Sequence, residues 1–230
     1  MWGELEMGMG IDVRNRMAMR AAEEITSGMV VNLGIGIPSL VPNHLPRNIQ
    51  VMFHAENGIV GMGASPEKGW EDENLCNAGG FPVTTIPGSS YCDSAMAFGM
   101  IRRGLVDLTI LGSLQVSEKG DIANWIVPGK KVPGMGGAME LAQKARKVAV
   151  LMYHTDKNGV SKLVKSCSLP LTASNCVDIV ITDLAVFKIK EGSMILSELF
   201  APYTIAEVTA KTACEFSIAE NLRFIDYERN

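Results

Sequence analysis

The stretch HAENGIVGMG, residues 54 to 63, places an ionisable carboxylate, Glu56, directly before Asn57-Gly58, at the end of a run that reads as a buried strand. A glutamate at a strand end is ordinarily a solvated charge and nothing more. Held rigidly, the same carboxylate could attack an electrophilic carbon, direct a water molecule or contact a ligand. Three glycine turns bear on that choice: Gly34-Ile35-Gly36-Ile37-Pro38, Gly58-Ile59-Val60-Gly61-Met62-Gly63 and Gly134-Met135-Gly136-Gly137. Lacking a Cβ, each lets backbone N–H groups approach a bound group closely. Singly, each reads better as a tight connection between strand and helix, which demands glycine anyway. Together, with Glu56 beside one of them, they argue for a site.

Other chemistries fail on spacing. The first turn lacks the third glycine of GxGxxG, the second carries that spacing reversed, and no Walker lysine follows either. His44, His54 and His154 form no HExxH and no cluster with cysteine, so no metal is expected and each reads as a loop or core histidine. GSSYC lacks the closing glycine of a serine-hydrolase elbow, and Cys167 in KSCSLPLT, without an obvious base partner, reads as a buried thiol.

With 230 residues and 47% hydrophobic content, the chain can bury a sizeable core. Residues 1–10 read as a flexible N-terminal extension and residues 11–230 as a single domain. A formal net charge of −4 gives no electrostatic reason to expect nucleic acid or an anionic membrane as partner. The cysteines are odd in number and form no CxxC pair, which suggests neither zinc nor a disulfide framework and fits a reducing cytoplasm. The start MWGELEMGMG is not cationic, and no run approaches the ~18 apolar residues of a membrane span, so a soluble, unexported chain is expected.

The elements that must position Glu56 alternate between helix and strand. Val13, Met17, Ala21 and Ile25 recur every fourth residue, which predicts a helix over 12–25 with Asp12 as cap and Gly28 as stop. MVVNLGIGIP predicts a short buried strand entering a glycine turn, and NIQVMFHA a second strand delivering the chain to Glu56. A helix over 91–103, capped by Ser89 or Ser90 and stopped by Gly104, leads to the strand VDLTILG. GGAMELAQKAR reads as a helix feeding the strand KVAVLM. Asn158-Gly159 reads as a hairpin turn, DIVITDL as a core strand, and TIAE, 204–207, as a capping box. The fold class expected is α/β, a mainly parallel open sheet covered by helices on both faces. Ligands of such sheets bind beyond the carboxyl ends of the strands, where the glycine turns fall.

NLGIGIP (32–38), ENGIVGMG (56–63), NAGG (77–80), DLTILGSLQVSEKGDIANWIVPGK (107–130), GMGGAMEL (134–141) and CSLPLT (167–172) resemble the B subunit of family I CoA-transferases over about residues 11–225. The likeness is to succinyl-CoA:3-oxoacid CoA-transferases and their acetate or butyrate:acetoacetate relatives, and it implies the CoA-transferase fold, of the NagB/RpiA-like kind. It also implies that Glu56 is the covalent nucleophile: its carboxylate attacks a thioester carbonyl to give a mixed anhydride, which the released CoA thiolate converts to a glutamyl-CoA thioester. A carboxylate is ionised at neutral pH, so what it needs from the chain is placement. Gly137 by the same resemblance offers its backbone N–H to an oxyanion, and Asn32 lies near the thioester end of CoA; its other reading is a strand-end asparagine bonding backbone.

Gly34, Gly36, Asn57, Gly58, Asn77, Gly80 and Gly136 complete the expected substrate and CoA surface. Lys130, with Lys131, could face CoA phosphates or form a solvated loop pair. CoA enters as a substrate, and no tightly bound cofactor is expected. An A-type chain is expected to complete the site in an A2B2 heteromer and to keep out water, which would hydrolyse the intermediates. Gly80 stands where 3-oxoacid relatives commonly carry lysine, Glu140 where aspartate is usual and Ala55 where serine often precedes the glutamate; each could alter selectivity. Two other readings stay open: an acyl-CoA hydrolase in which Glu56 directs water, and a binding module for an acyl-CoA or sugar phosphate.

Overall fold

Alternate residues of the central strands part to opposite sides of one sheet, and this builds two cores. The computed structural model describes residues 10–129, 134 and 136–227. In chain order these form α1 (Gly10–Ala22), β1 (Val30–Leu33), a 3-10 helix (Ile37–His44), β2 (Met52–Ala55), β3 (Ile59–Met62), β4 (Thr85–Tyr91), α2 (Ser94–Arg102) and β5 (Leu108–Gly112). There follow β6 (Gln115–Ser117), β7 (Ile122–Ala123), α3 (Ala138–Lys144), β8 (Val148–Leu151), β9 (Leu163–Val164), β10 (Ile179–Ile181), β11 (Ala185–Lys190), β12 (Ser193–Phe200), α4 (Ile205–Lys211) and β13 (Ser217–Ile225).

The main sheet runs β13-β12-β11-β10-β8-β5-β1-β2-β3-β4. Its centre, β10-β8-β5-β1-β2, is parallel, while β3, β4 and β11 pair antiparallel with their neighbours on the flanks. Ala149 and Leu151 of β8 join a cluster with Met17 and Ala21 of α1 and Val41 of the 3-10 helix. Val148 and Val150 join the opposite cluster, with Ile101 of α2, Leu141 of α3 and Val208 of α4. Helices therefore cover both faces of an open, mostly parallel sheet. Among the described residues no helix is long and apolar enough to cross a membrane.

Several local expectations shift. The first helix begins at Gly10, upstream of Asp12, and ends at Ala22, where successive turns carry the chain through Glu23 and Glu24 well before Gly28. The second begins at Ser94, because the Asp93 carboxylate accepts from the Met96 N–H; Ser89 and Ser90 belong to β4, whose pairing with β3 claims their backbone. Around Asn158-Gly159 the chain turns on the Asp156 carboxylate and closes only a single bridge, Thr155 to Ser161, so no hairpin ladder forms. The capping box at Thr204 and Glu207 is present as read.

From β1 the chain moves to β2 on one side, and later strands β5, β8 and β10 extend the other side. The crevice where the direction of winding changes lies beyond the carboxyl ends of β1 and β5. At Gly34 the backbone passes so close to β5 that a Cβ would lie 3.2 Å from the Ile110 carbonyl oxygen. The Gly34 N–H donates to that same oxygen at 2.8 Å.

Candidate active site

Strand register assembles the site. Asn32 on β1 stands beside His54 on β2 and beside Thr109 on β5, so three polar side chains form a row across adjacent strands. Their neighbours Val31, Phe53, Leu108 and Ile110 all face the α1 core, which leaves the row on the α2 and α3 side. All three are buried, at 1%, 1% and 0% exposure. Buried polar groups must find partners, and Asn32 finds three. Its Nδ2 donates to the His54 carbonyl at 3.1 Å and to Glu56 Oε2 at 3.0 Å, and its Oδ1 accepts from Thr109 Oγ1 at 3.4 Å.

Glu56 follows β2 directly and projects on the same side as the row, half-buried. The turn behind it is closed by the Gly58 N–H donating to the Ala55 carbonyl at 2.9 Å. Only glycine suits position 58: φ is +113°, and a Cβ would lie 2.0 Å from the Cys92 carbonyl oxygen. Gly137, immediately before α3, is buried against the carboxylate, where a Cβ would lie 3.3 Å from both Glu56 Cγ and Oε1. One carboxylate oxygen is thus tethered to Asn32 while the other faces the backbone of Gly137.

His54 is a core histidine. Its Nε2 lies 3.2 Å from the Ala97 carbonyl of α2, an acceptor, so Nε2 carries the proton. Burial pushes its pKa down, against the pull of the Ala97 carbonyl and Glu56 toward the cation, and the ring stays neutral. Burial also raises the Cys167 thiol to about 11, far from the thiolate a cysteine nucleophile requires.

The other expected residues divide by role. Asn57 donates from Nδ2 to the Cys76 carbonyl at 2.7 Å, and the Asn77 side chain accepts from the N–H groups of Gly79 and Phe81 at 2.9 and 3.0 Å. Asn57 therefore ties its turn to the loop at Cys76, while Asn77 shapes its own loop. Gly36 opens the 3-10 helix at φ +88°, while Gly80 and Gly136 are exposed turn positions at φ +77° and +55°. Lys130 and Lys131 lie outside the described residues. Glu140 forms a two-pronged pair with Arg102 of α2, both contacts at 2.8 Å, and so ties α3 to α2.

A cavity of about 240 Å³ lies next to this arrangement, between Leu33, Gly34 and Gly36 on one side and Asn77, Gly79 and Phe81 on the other. Glu56 is not among its lining residues; Leu33 and Ala55 present the α1 face there, whereas the carboxylate rises from the opposite face. Ile35 and Phe81 at its rim are 63% and 58% exposed, an apolar edge beside the site. Sequence reasoning missed Thr109. Its signal was a hydroxyl in the otherwise apolar strand LTILG, and its meaning depends on a partner 77 residues away.

A family model described as Coenzyme A transferase matches residues 14–211. The chain is 60% identical over 212 residues to the beta chain of a probable coenzyme A transferase of Bacillus subtilis (strain 168), covering 92% of this chain and 98% of that one. It is 50% identical over 211 residues to the B chain of a probable succinyl-CoA:3-ketoacid coenzyme A transferase of the same organism, covering 92% and 98%. Among solved structures, an acyl-CoA transferase (YdiF) from E. coli O157:H7 in thioester complex with CoA superimposes with a TM-score of 0.73 at 20% identity. The match covers 93% of this chain and 43% of that longer one, a likeness of fold.

Proposed function

As this chain belongs to the coenzyme A transferase family, as a component of the B or beta type, we propose that it moves CoA between a short-chain acyl-CoA and a carboxylic acid by covalent catalysis on Glu56. The acids in view are a 3-oxoacid such as acetoacetate, or the acetate, butyrate and succinate class. One observation carries the reading: the Glu56 carboxylate is tied at 3.0 Å to the Asn32 amide and packs against the backbone of Gly137 beyond the strand ends. A solvated glutamate would have neither constraint.

The sequence of steps is ping-pong. A Glu56 oxygen bonds to the thioester carbon, the C–S bond breaks, and CoA leaves as thiolate. The thiolate sulfur then bonds to Glu56 Cδ, and the acid departs as carboxylate. An incoming acid reverses both steps, so the thioester energy is conserved. Each tetrahedral intermediate carries an oxyanion; for the one on the substrate's acyl carbon the Gly137 N–H is the donor we assign, and one such donor is typically worth ~10²- to 10³-fold in rate.

An A-type chain completes the enzyme, as A2B2. The half-buried Glu56, together with the exposed Ile35 and Phe81 at the neighbouring cavity, supports a partner that closes over this end of the sheet and excludes water. The succinyl-CoA:3-ketoacid relative favours a 3-oxoacid, and five free cysteines suit a reducing cytoplasm.

The test is covalent. In a complex with an A-type chain, acetoacetyl-CoA should raise the mass of this chain by CoA less water, on the peptide spanning residues 54–63. Glu56→Ala should abolish the adduct. Thiol release without any acid acceptor would favour hydrolysis instead, and no adduct with any acyl-CoA would overturn the transferase reading.

A further inference from the structure

We propose that Thr109 is a positioning residue for this reaction, acting through Asn32 on the Glu56 carboxylate; the inference rests on Glu56 being the nucleophile. Asn32 Oδ1 and Thr109 Oγ1 are both oxygens, 3.4 Å apart, and in the hydrogen bond between them the hydroxyl is the donor, since an amide oxygen only accepts. On the other side of the amide, the His54 carbonyl and Glu56 Oε2 are pure acceptors, so Nδ2 must face them. The two requirements agree and fix one orientation of the amide. Thr109 is 0% exposed in a strand whose other side chains are apolar, and its hydroxyl has this one partner among the described residues. A buried hydroxyl in such a place is costly unless bonded.

The consequence is that the two carboxylate oxygens are made unequal. Oε2 is held by Asn32, and Oε1, facing Gly137, is the one presented for attack. When Oε1 bonds to the acyl carbon and the thiolate leaves, Oε2 becomes the carbonyl oxygen of the glutamyl group. Attack of the thiolate on Cδ then moves the Cδ=Oε2 electron pair onto Oε2. The Asn32 amide already donates to that atom, and collapse of the oxyanion expels the acid with Oε1. Thr109 keeps the donor aimed at the oxygen where charge develops.

The experiment uses the assembled two-chain enzyme and follows single-turnover formation of the Glu56 adduct by quenched intact mass, together with the KM for acetoacetyl-CoA. Thr109→Val removes the hydroxyl at nearly equal volume and should slow adduct formation by about tenfold, the effect of one net hydrogen bond. KM should be little changed. Thr109→Ser should restore the rate, and in an Asn32→Ala background Thr109→Val should have no further effect. Should Thr109→Val fail to assemble, Thr109→Cys, a weaker donor of similar size, should show the same slowing. A valine variant as fast as wild type, a serine variant as slow as valine, or additive effects of Asn32→Ala and Thr109→Val would each overturn the proposal. Absence of any adduct on the wild-type complex would instead remove the nucleophile assignment, and this inference with it.

Discussion

Gly137 has an ordinary backbone, with φ −80° and ψ −5°, so its missing side chain answers a demand for space rather than for conformation. A Cβ there would lie 3.3 Å from Glu56 Cγ and Oε1, close enough that the carboxylate would have to move by a few tenths of an ångström. Gly137→Ala should therefore lower kcat of the assembled enzyme by about tenfold, since small misplacements of a reacting group are expensive in rate. The folded chain should lose no more than about 1 kcal/mol of stability: alanine is a poorer N-cap than glycine, but the αR backbone at this position suits it. Steady-state kinetics and urea unfolding separate the two effects; loss of stability matching the loss of rate would argue against a role in placing Glu56. Gly80 differs in kind: φ is +77° and, among the described residues beyond its chain neighbours, no atom lies within 4 Å of a Cβ there, so conformation rather than space calls for glycine.

Elements are pinned to one another by ion pairs of unequal worth. Arg20 of α1 reaches the Glu198 carboxylate of β12 with two contacts, at 2.5 and 2.6 Å, and both side chains are buried. Burial alone would push the Glu198 carboxyl up, yet the bonds from Arg20 and Arg223 hold it below the usual range. The Arg102 to Glu140 pair between α2 and α3 is well formed but much more exposed. Glu198→Ala should cost about 3 kcal/mol by leaving a buried guanidinium short of its partner. Glu140→Ala should cost at most about 1 kcal/mol of stability. Urea midpoints of the two variants, measured side by side, test the contrast; equal losses would contradict it. The Glu140 pair bears on the site in another way, since it anchors the helix that Gly137 begins.

At the scale of the molecule, acid should unfold the chain partly through its buried imidazoles. Burial pushes His154 from the ordinary 6.5 down to about 4, with Lys211 also opposing the cation and Asp183 favouring it. The unfolded chain binds that proton below about pH 6.5 and the folded chain only near pH 4, so between these values the unfolded state holds more protons and stability falls as pH falls. The full loss from this residue is about 3 kcal/mol, complete below pH 4. Glu24 and Glu198, whose carboxyls are held low, add their own losses only at more acid pH. Unfolding free energies at pH 7.5 and 5 should differ measurably, and His154→Gln should shrink the difference; an unchanged difference would place its origin elsewhere.

What the sequence determined by itself was local. Glu56 before Asn57-Gly58, the helix after Gly137, the capping box at Thr204 and the apolar runs of β5, β8 and β10 are each set by neighbours within a few residues, where dihedral limits, capping and side-chain alternation act. That the central sheet would be mainly parallel followed from strands alternating with helices. Tertiary structure decided the rest: that β3, β4 and β11 run antiparallel, that Asp93 rather than Ser89 or Ser90 caps α2, and that Thr109, Asn32 and His54 form one row beneath Glu56. Those facts depend on which strands lie side by side and in what register. Pairing is fixed by burial of whole faces across distant segments, and no local pattern of residue types contains it.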